Sequence, residues 1–174
     1  FFRFPLFKRG RARGVRNVFT GQYDGVELTL FDYWYKSSDM SHHYLVAVFP
    51  TVNSIPDFEL RHESIPYKIK EKLGQKEIDF EADPEFSERY HLSGTHAAAV
   101  KAFFREDLRS ALRYMDRSKL DGMEGGGHWL VFYRWNADYM SRRSEKYVAD
   151  MSKFLDNALN VFEAFQKHNL AFGN

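Results

Sequence analysis

The sequence predicts an α+β fold: an antiparallel, curved sheet of about six or seven strands, a central helical segment and a long C-terminal helix packed on the sheet. Three observations lead to this fold class. Strand-like runs separated by turn residues fill residues 15–62, apolar residues at helical spacing mark residues 95–115, and a longer helical stripe ends the chain. No strand–helix alternation and no repeat period occurs, so neither a parallel sheet nor a solenoid is predicted.

The first predicted element is a hairpin of strands 15–22 and 26–35. Its turn at residues 23–25 contains Asp-Gly, which favours a tight turn between β-rich runs. Because alternate residues of a strand share a face, the second strand places Asp32 on the same side as Leu30.

Four further strands are predicted before the helices, one of them a short strand over residues 89–92. Residues 44–49 are apolar at every position, which is typical of a central strand, and Pro50 is expected to end it. Residues 55–62 are expected to form a short edge strand, because Pro56 lacks the N–H that a central strand must donate. Residues 77–81 alternate apolar and acidic side chains, which predicts a half-buried strand.

The helical middle of the chain is expected to divide near Asp107 into two helices. A short helix is predicted over residues 67–73. A second hairpin is predicted around the three glycines at 125–127, since glycine adopts the positive φ of tight turns, and its strand at 129–133 is expected to be central. A terminal helix capped by Asp138 follows, with one apolar stripe formed by Tyr147, Met151, Phe154, Leu155, Ala158, Phe162 and Phe165.

Length and composition indicate a single domain over residues 1–174. The chain has 174 residues, of which 44% are hydrophobic and 17% aromatic, enough for one packed core. It contains no cysteine, which excludes disulfides, thiol nucleophiles and thiolate metal sites. No run reaches the about 18–20 apolar residues of a membrane-spanning helix. Because the chain begins without Met on a Phe-rich segment, we expect it to be a fragment of a longer protein.

The strongest local signal is a basic, aromatic N-terminal segment, residues 1–14. The first 20 residues contain no acid and six cations, interleaved with phenylalanines: Arg3, Lys8, Arg9, Arg11, Arg13 and Arg16. This pattern is typical of a segment beside an anionic membrane surface. In the alternative interpretation, the rings enter the core and the arginines are solvated or pair with acids of residues 77–88. Nucleic acid is a less favoured partner, because the formal net charge is only +1.

Asp32 is the candidate buried polar or site residue. A carboxylate on an otherwise apolar strand face is costly unless it is hydrogen-bonded or paired. Active sites often hold such a group, whereas a structural Asp would accept backbone N–H groups or pair with an arginine such as Arg134. A bulge that turns Asp32 outward is a third possibility.

Other motifs give no catalytic, metal or cofactor assignment. None of the seven histidines, His42, His43, His62, His91, His96, His128 and His168, has a spacing with built-in ligand geometry. The acids at 79, 81, 83 and 85 lack the glycine of a calcium loop and are interpreted as a charged outer strand face. The glycines at 125–127 are not followed by Lys-Ser/Thr, which excludes a Walker loop, and no serine lies in a nucleophile motif.

Several short phrases resemble an uncharacterised bacterial family of unknown function. They are Phe4-Pro5-Leu6-Phe7, Asn17-Val18-Phe19-Thr20-Gly21, Phe31-Asp32-Tyr33, Pro56-Asp57-Phe58-Glu59-Leu60 and Pro84-Glu85-Phe86-Ser87. In that family such phrases follow one or two membrane helices. The resemblance implies a cytoplasmic domain tethered to a bacterial membrane, and it supplies no catalytic residue.

The sequence therefore predicts a non-enzymatic binding or scaffolding domain on the cytoplasmic side of a bacterial membrane. Its partners would be an anionic membrane surface and an unidentified protein. A pleckstrin-homology-like sandwich and a cystatin-like or helix-grip sheet are the layouts considered. Two other hypotheses remain: a small hydrolase using Asp32 and a histidine, and a binder of apolar small molecules inside an aromatic-rich sheet.

Overall fold

A computed structural model of the chain describes residues 2–23, 25–63, 77–113, 120–135 and 144–170. The strands are β1 (Ala12–Tyr23), β2 (Val26–Ser37), β3 (Met40–His62), β4 (Tyr90–Gly94) and β5 (Gly122–Trp135). The helices are a short 3-10 helix (Pro5–Lys8), α1 (Pro84–Arg89), α2 (Ala97–Phe103), α3 (Glu106–Arg113) and α4 (Ser144–Leu170). This arrangement confirms the α+β class, with five strands in the described part of the chain.

The long strand β3 organises the sheet. Its first half pairs with β2, its last residues pair with β4, and β5 runs antiparallel along its other edge. The five strands form one open sheet, with the order β1-β2-β3-β4 and β5 beside β3, rather than the two sheets of a sandwich. β1 pairs with β2 alone among the described strands, so it lies at an edge.

The prediction of two separate strands at 44–49 and 55–62 was wrong, because both belong to β3. Pro50 does not end the strand, since it pairs with Trp129 of β5. Pro56 is not at a sheet edge but in an irregularity of the β3–β5 register between Ile55 and Phe58. Such a bulge tolerates a residue without an N–H inside a central strand.

The hairpin predicted at the three glycines was also wrong, because all three lie inside β5. Gly127 lies beside a register shift and has φ +58°, a backbone angle that a residue with a side chain rarely adopts. At Gly125 an added Cβ would overlap the ring of Phe58. The glycines therefore allow β3 to approach closely and do not form a turn. The strand at 129–133 is not central, because β5 pairs only with β3 among the described strands.

We expect Gly125→Ala to lower the free energy of unfolding by about 1–3 kcal/mol, the usual cost of overpacking. Phe58 cannot easily move aside, because its ring packs against Phe104 and Phe165. Urea unfolding followed by circular dichroism would measure the loss. Gly21→Ala is the matched control, since a Cβ there meets nothing within 4 Å. Equal stability of the two variants would contradict this account of the glycines.

Each face of the sheet has its own core. On the front face, α2, α3 and α4 cover side chains such as Leu30, Leu45 and Phe132, and the stacked rings of Phe49 and Phe162 join β3 to α4. The back face carries Phe31, Tyr33, Tyr35, Tyr44, Val46, Val48, Val131 and Tyr133. The alternation predicted for β2 is confirmed, because even-numbered residues around Leu30 face the helices and odd-numbered residues around Phe31 face the other way.

The division of residues 95–115 into two helices is confirmed by the break between α2 and α3. The predicted strand at 77–81 is reduced to a single bridge between Glu77 and Ser93. The interpretation of Asp83 as part of a charged outer face was wrong, because Asp83 is buried and accepts from the Phe86 N–H at the start of α1. Arg109 and Arg113 donate to it at 2.7 and 2.8 Å, which ties α1 to α3.

Some predictions lie outside the described residues. They are the helix at 67–73, the turn residue Asp24, the cap Asp138 and the side chain of His168. None of the described helices combines the length and apolar character needed to cross a bilayer.

Candidate functional site

The N-terminal segment packs onto the back face of the sheet. Phe4, Leu6 and Phe7 are almost fully buried there, and Phe7 meets the ring of Tyr33 edge-on with centroids 5.0 Å apart. Proline at the start of the 3-10 helix presets the backbone angle that this turn requires. The alternative in which the rings enter the core therefore describes Phe4 and Phe7, and Leu6 is buried with them.

Beneath this segment lies a largely buried charged network formed by Arg9, Glu59, Arg61 and Glu124. Arg9 donates to Glu59 at 3.0 Å, and Arg61 donates to the same carboxylate through Nε at 2.7 Å. Glu124 is completely buried and accepts the backbone N–H of Leu6 at 3.0 Å. The network thus connects the N-terminal segment to β3 and β5, and its acids are Glu59 and Glu124 rather than the acids of residues 77–88.

The two carboxyl groups of this network are driven toward different protonation states. Burial, together with the negative charge of Glu59, raises the pKa of Glu124 to about 8. Burial also acts to raise the pKa of Glu59, but Arg61 and Arg9 outweigh it, so that pKa is lowered. Near neutral pH, protonated Glu124 donates a hydrogen bond to ionised Glu59. One net negative charge then faces two arginines.

The six predicted membrane-contact cations occupy different environments. Arg9 is largely buried, and Arg3 forms an exposed ion pair with Asp57 at 2.7 Å, a kind of pair that contributes little stability. The other four, Lys8, Arg11, Arg13 and Arg16, are exposed along the segment and β1, and we call them the basic edge. Arg13 also donates to the Phe7 carbonyl, and Arg16 lies over the ring of Trp34.

Exposed apolar side chains accompany the basic edge. Phe2, Val18 and Phe19 are each more than half exposed. Val18 lies in the register shift between Arg16 and Phe19 in β1, where Asn17 has φ +48°. The basic edge with these apolar side chains is the candidate functional surface.

Asp32 is buried on the front face, as the alternation predicted. Among the described residues, its Oδ2 accepts from the Asn17 amide at 2.6 Å and from the Tyr147 hydroxyl at 2.7 Å, while its buried Oδ1 has no partner. Neither bond comes from a histidine, a backbone amide or Arg134. The two bonds connect β1 and α4 to β2.

Among the described histidines, His43 is the one on whose pKa Asp32 acts, through its negative charge. Burial and the nearby Arg16 lower the pKa of His43 and outweigh the opposite effect of Asp32. The pKa of His42 is also lowered, by burial and by Arg9, and its ring stacks on Tyr35 at 4.7 Å. Both shifts favour the neutral form of the imidazole near pH 7.

A cleft with a volume of about 270 Å³ lies between the N-terminal segment and the end of β3. Two cations and two carboxylates, Arg3, Lys8, Asp57 and Glu59, contribute to its lining. Such a charged wall does not favour an apolar ligand.

No family model and no curated protein matches this chain. Among solved structures, the crystal structure of the mycobacterial trehalose monomycolate transport factor A, TtfA, is similar, with a TM-score of 0.57. The chain shares its fold with a transport factor. The alignment covers 87% of this chain and 76% of TtfA at 11% sequence identity. At that identity the likeness concerns the fold.

Sequence reasoning missed Glu59 and Glu124, the acids beneath the N-terminal segment. Glu59 stands between two front-facing residues, Phe58 and Leu60, and a strand pattern places such a residue on the opposite face of the sheet. The alternation could have indicated Glu59 as a partner of the N-terminal segment, because cations that pack on a sheet face need acids on that face. No sequence signal marks Glu124 as buried.

Proposed function

We propose that this chain is a non-enzymatic binding domain of a membrane-associated bacterial protein, acting on the cytoplasmic side of the membrane. The observation that carries the proposal is the basic edge, an exposed row of cations along the N-terminal segment and the edge strand β1, with apolar side chains beside it. Each cation near an anionic leaflet contributes about 1 kcal/mol of binding free energy. The fold likeness to a transport factor supports a role in a lipid-transport system.

The sheet arrangement is compatible with edge-on binding. β1 is the edge strand, most of its side chains are exposed, and no acid occurs in residues 1–20. Lys8 and Arg11 have no acidic partner among the described residues. Phe2, Val18 and Phe19 are suited to the interfacial region of a bilayer, where partly exposed rings and apolar side chains gain burial.

Vesicle flotation of the purified chain tests the proposal. We expect binding to anionic vesicles at low salt, release at high salt and no binding to neutral vesicles. A triple variant, Lys8→Gln, Arg11→Gln and Arg16→Gln, is expected to bind about 100-fold more weakly, since three cations contribute about 3 kcal/mol. Arg9 and Arg13 stay unchanged in this variant because the packed segment uses them.

The matched control is Lys101→Gln, Lys153→Gln and Lys167→Gln, which removes the same charge from exposed helix positions. Binding equal to that of the unmodified chain is expected. If the control loses binding as much as the basic-edge variant, net charge rather than this surface is responsible and the proposal fails. It fails also if the unmodified chain does not float with anionic vesicles.

A further inference from the structure

Three side chains of metal-ligand type meet at the end of the sheet where β3 and β4 pair. Glu63 directly follows β3, and its N–H donates to the Arg89 carbonyl at 3.1 Å. His91 lies in β4, and Glu77 bridges to Ser93 on the other edge of β4. Backbone pairing therefore brings together three residues from separate parts of the chain.

The ligand atoms of these residues are close enough for one ion. A carboxylate oxygen of Glu63, a carboxylate oxygen of Glu77 and a ring nitrogen of His91 all lie within 4.8 Å of one another. His91 Nδ1 and Glu77 Oε1 are 2.9 Å apart. Two ligands bound at about 2.1 Å and at the tetrahedral angle stand about 3.4 Å apart, so this pair is within about 0.5 Å of ligand spacing.

A simple ion pair explains less of this arrangement. Protonated His91 and Glu77 would form a partly exposed pair, which contributes about 0–1 kcal/mol. That pair does not require a second carboxylate at the same point, yet Glu63 is there. Arg61, the residue opposite His91 in the β3–β4 register, is held by Glu59.

We propose that Glu63, Glu77 and His91 form a site for a divalent transition-metal ion of the Zn²⁺ class. One imidazole and two carboxylates are ligands that such ions accept, whereas Mg²⁺ and Ca²⁺ prefer oxygen ligands alone. Three protein ligands leave positions for water or a further ligand. The ion joins Glu63 to Glu77, which flank residues 64–76, and so fixes the distance between them. The metal site is independent of the basic edge.

Calorimetric titration of the tag-free, metal-depleted chain with Zn²⁺ tests the site. We expect one ion per chain and an affinity reduced at least 10-fold by His91→Ala and by Glu63→Gln. His96→Ala and Glu81→Gln are the matched controls, because both residues are exposed and lie outside the cluster. Millimolar Mg²⁺ is not expected to displace Zn²⁺. Thermal unfolding without metal verifies that each variant is folded.

A second measurement locates the bound ion. Because Mn²⁺ is paramagnetic, it is expected to broaden the NMR resonances of the His91 ring before those of His96 and His128. The proposal is overturned if His91→Ala binds Zn²⁺ as tightly as the unmodified chain. It is overturned equally if the control variants lose as much Zn²⁺ affinity as His91→Ala does. Displacement of Zn²⁺ by Mg²⁺ at equal concentration would also overturn it, since that would indicate unspecific binding to an acidic surface.

Discussion

Replacing Arg9 by glutamine is expected to lower the free energy of unfolding by about 3 kcal/mol, the low end of the cost of breaking a buried ion pair. Arg9 is largely buried and donates to Glu59, and its guanidinium lies 3.9 Å from Glu124. Without it, the buried carboxylate of Glu59 keeps only Arg61 as a cationic partner. The loss is below the upper end of the range because that partner remains.

Guanidinium-chloride unfolding of Arg9→Gln would measure this loss, with Arg11→Gln as the matched control. Arg11 is exposed, so the control is expected to stay within about 0.5 kcal/mol of the unmodified chain. Both variants lose one cation of the N-terminal segment, and only their burial differs. If they unfold at the same denaturant concentration, the buried network does not stabilise the docked segment.

Glu124→Gln is expected to remove a strong pH dependence of stability. The pKa of Glu124 in the folded chain is about 8 against an ordinary value of 4.5, so the folded state retains a proton that the unfolded state releases between these values. This contribution to stability is complete below pH 4.5 and is lost as pH rises through about 8. For one proton the slope is about 1.4 kcal/mol per pH unit.

Glutamine reproduces neutral Glu124 at every pH. Its amide oxygen can accept the Leu6 N–H, and its amide nitrogen can donate to Glu59, as protonated Glu124 does. We therefore expect the variant to be the more stable protein at pH 8, by about 2 kcal/mol or more. Near pH 5 the difference is expected to be small.

Thermal and denaturant unfolding between pH 5 and 9 would give the two stability curves. The lowered pKa of Glu59 has the opposite effect, since its stabilisation is lost as pH falls below about 4.5, outside this range. Glu27→Gln is the control, because Glu27 is exposed on β2. Parallel curves for the unmodified chain and Glu124→Gln would show that Glu124 is ionised in the folded state.

Local pattern was sufficient for several parts of the fold. Alternation along residues 26–35 predicted the two faces of β2, because burial on one side enforces the two-residue period. Three- and four-residue spacing predicted α2, α3 and the stripe of α4, since a helix buries residues that are neighbours in sequence. The inward direction of Asp32 followed from the same alternation.

The errors share a different physical cause. Glycine and proline carry two opposite meanings, a turn or a close approach within a strand, and only the neighbouring strand decides between them. Gly125 is required by the ring of Phe58, and Pro56 is tolerated at a bulge. Sequence alone gives no partner for either residue, so the continuous strands β3 and β5 were predicted as separate pieces.

By itself, the sequence determined the α+β class, the absence of cysteine chemistry and the concentration of cations near the N-terminus. The tertiary structure decided which cations are exposed and which are buried, because the acids that bind Arg9 come from strands far along the chain. The same holds for the cluster of Glu63, Glu77 and His91. Charge and proton affinity at a site depend on burial and on neighbours, and long-range strand pairing sets both.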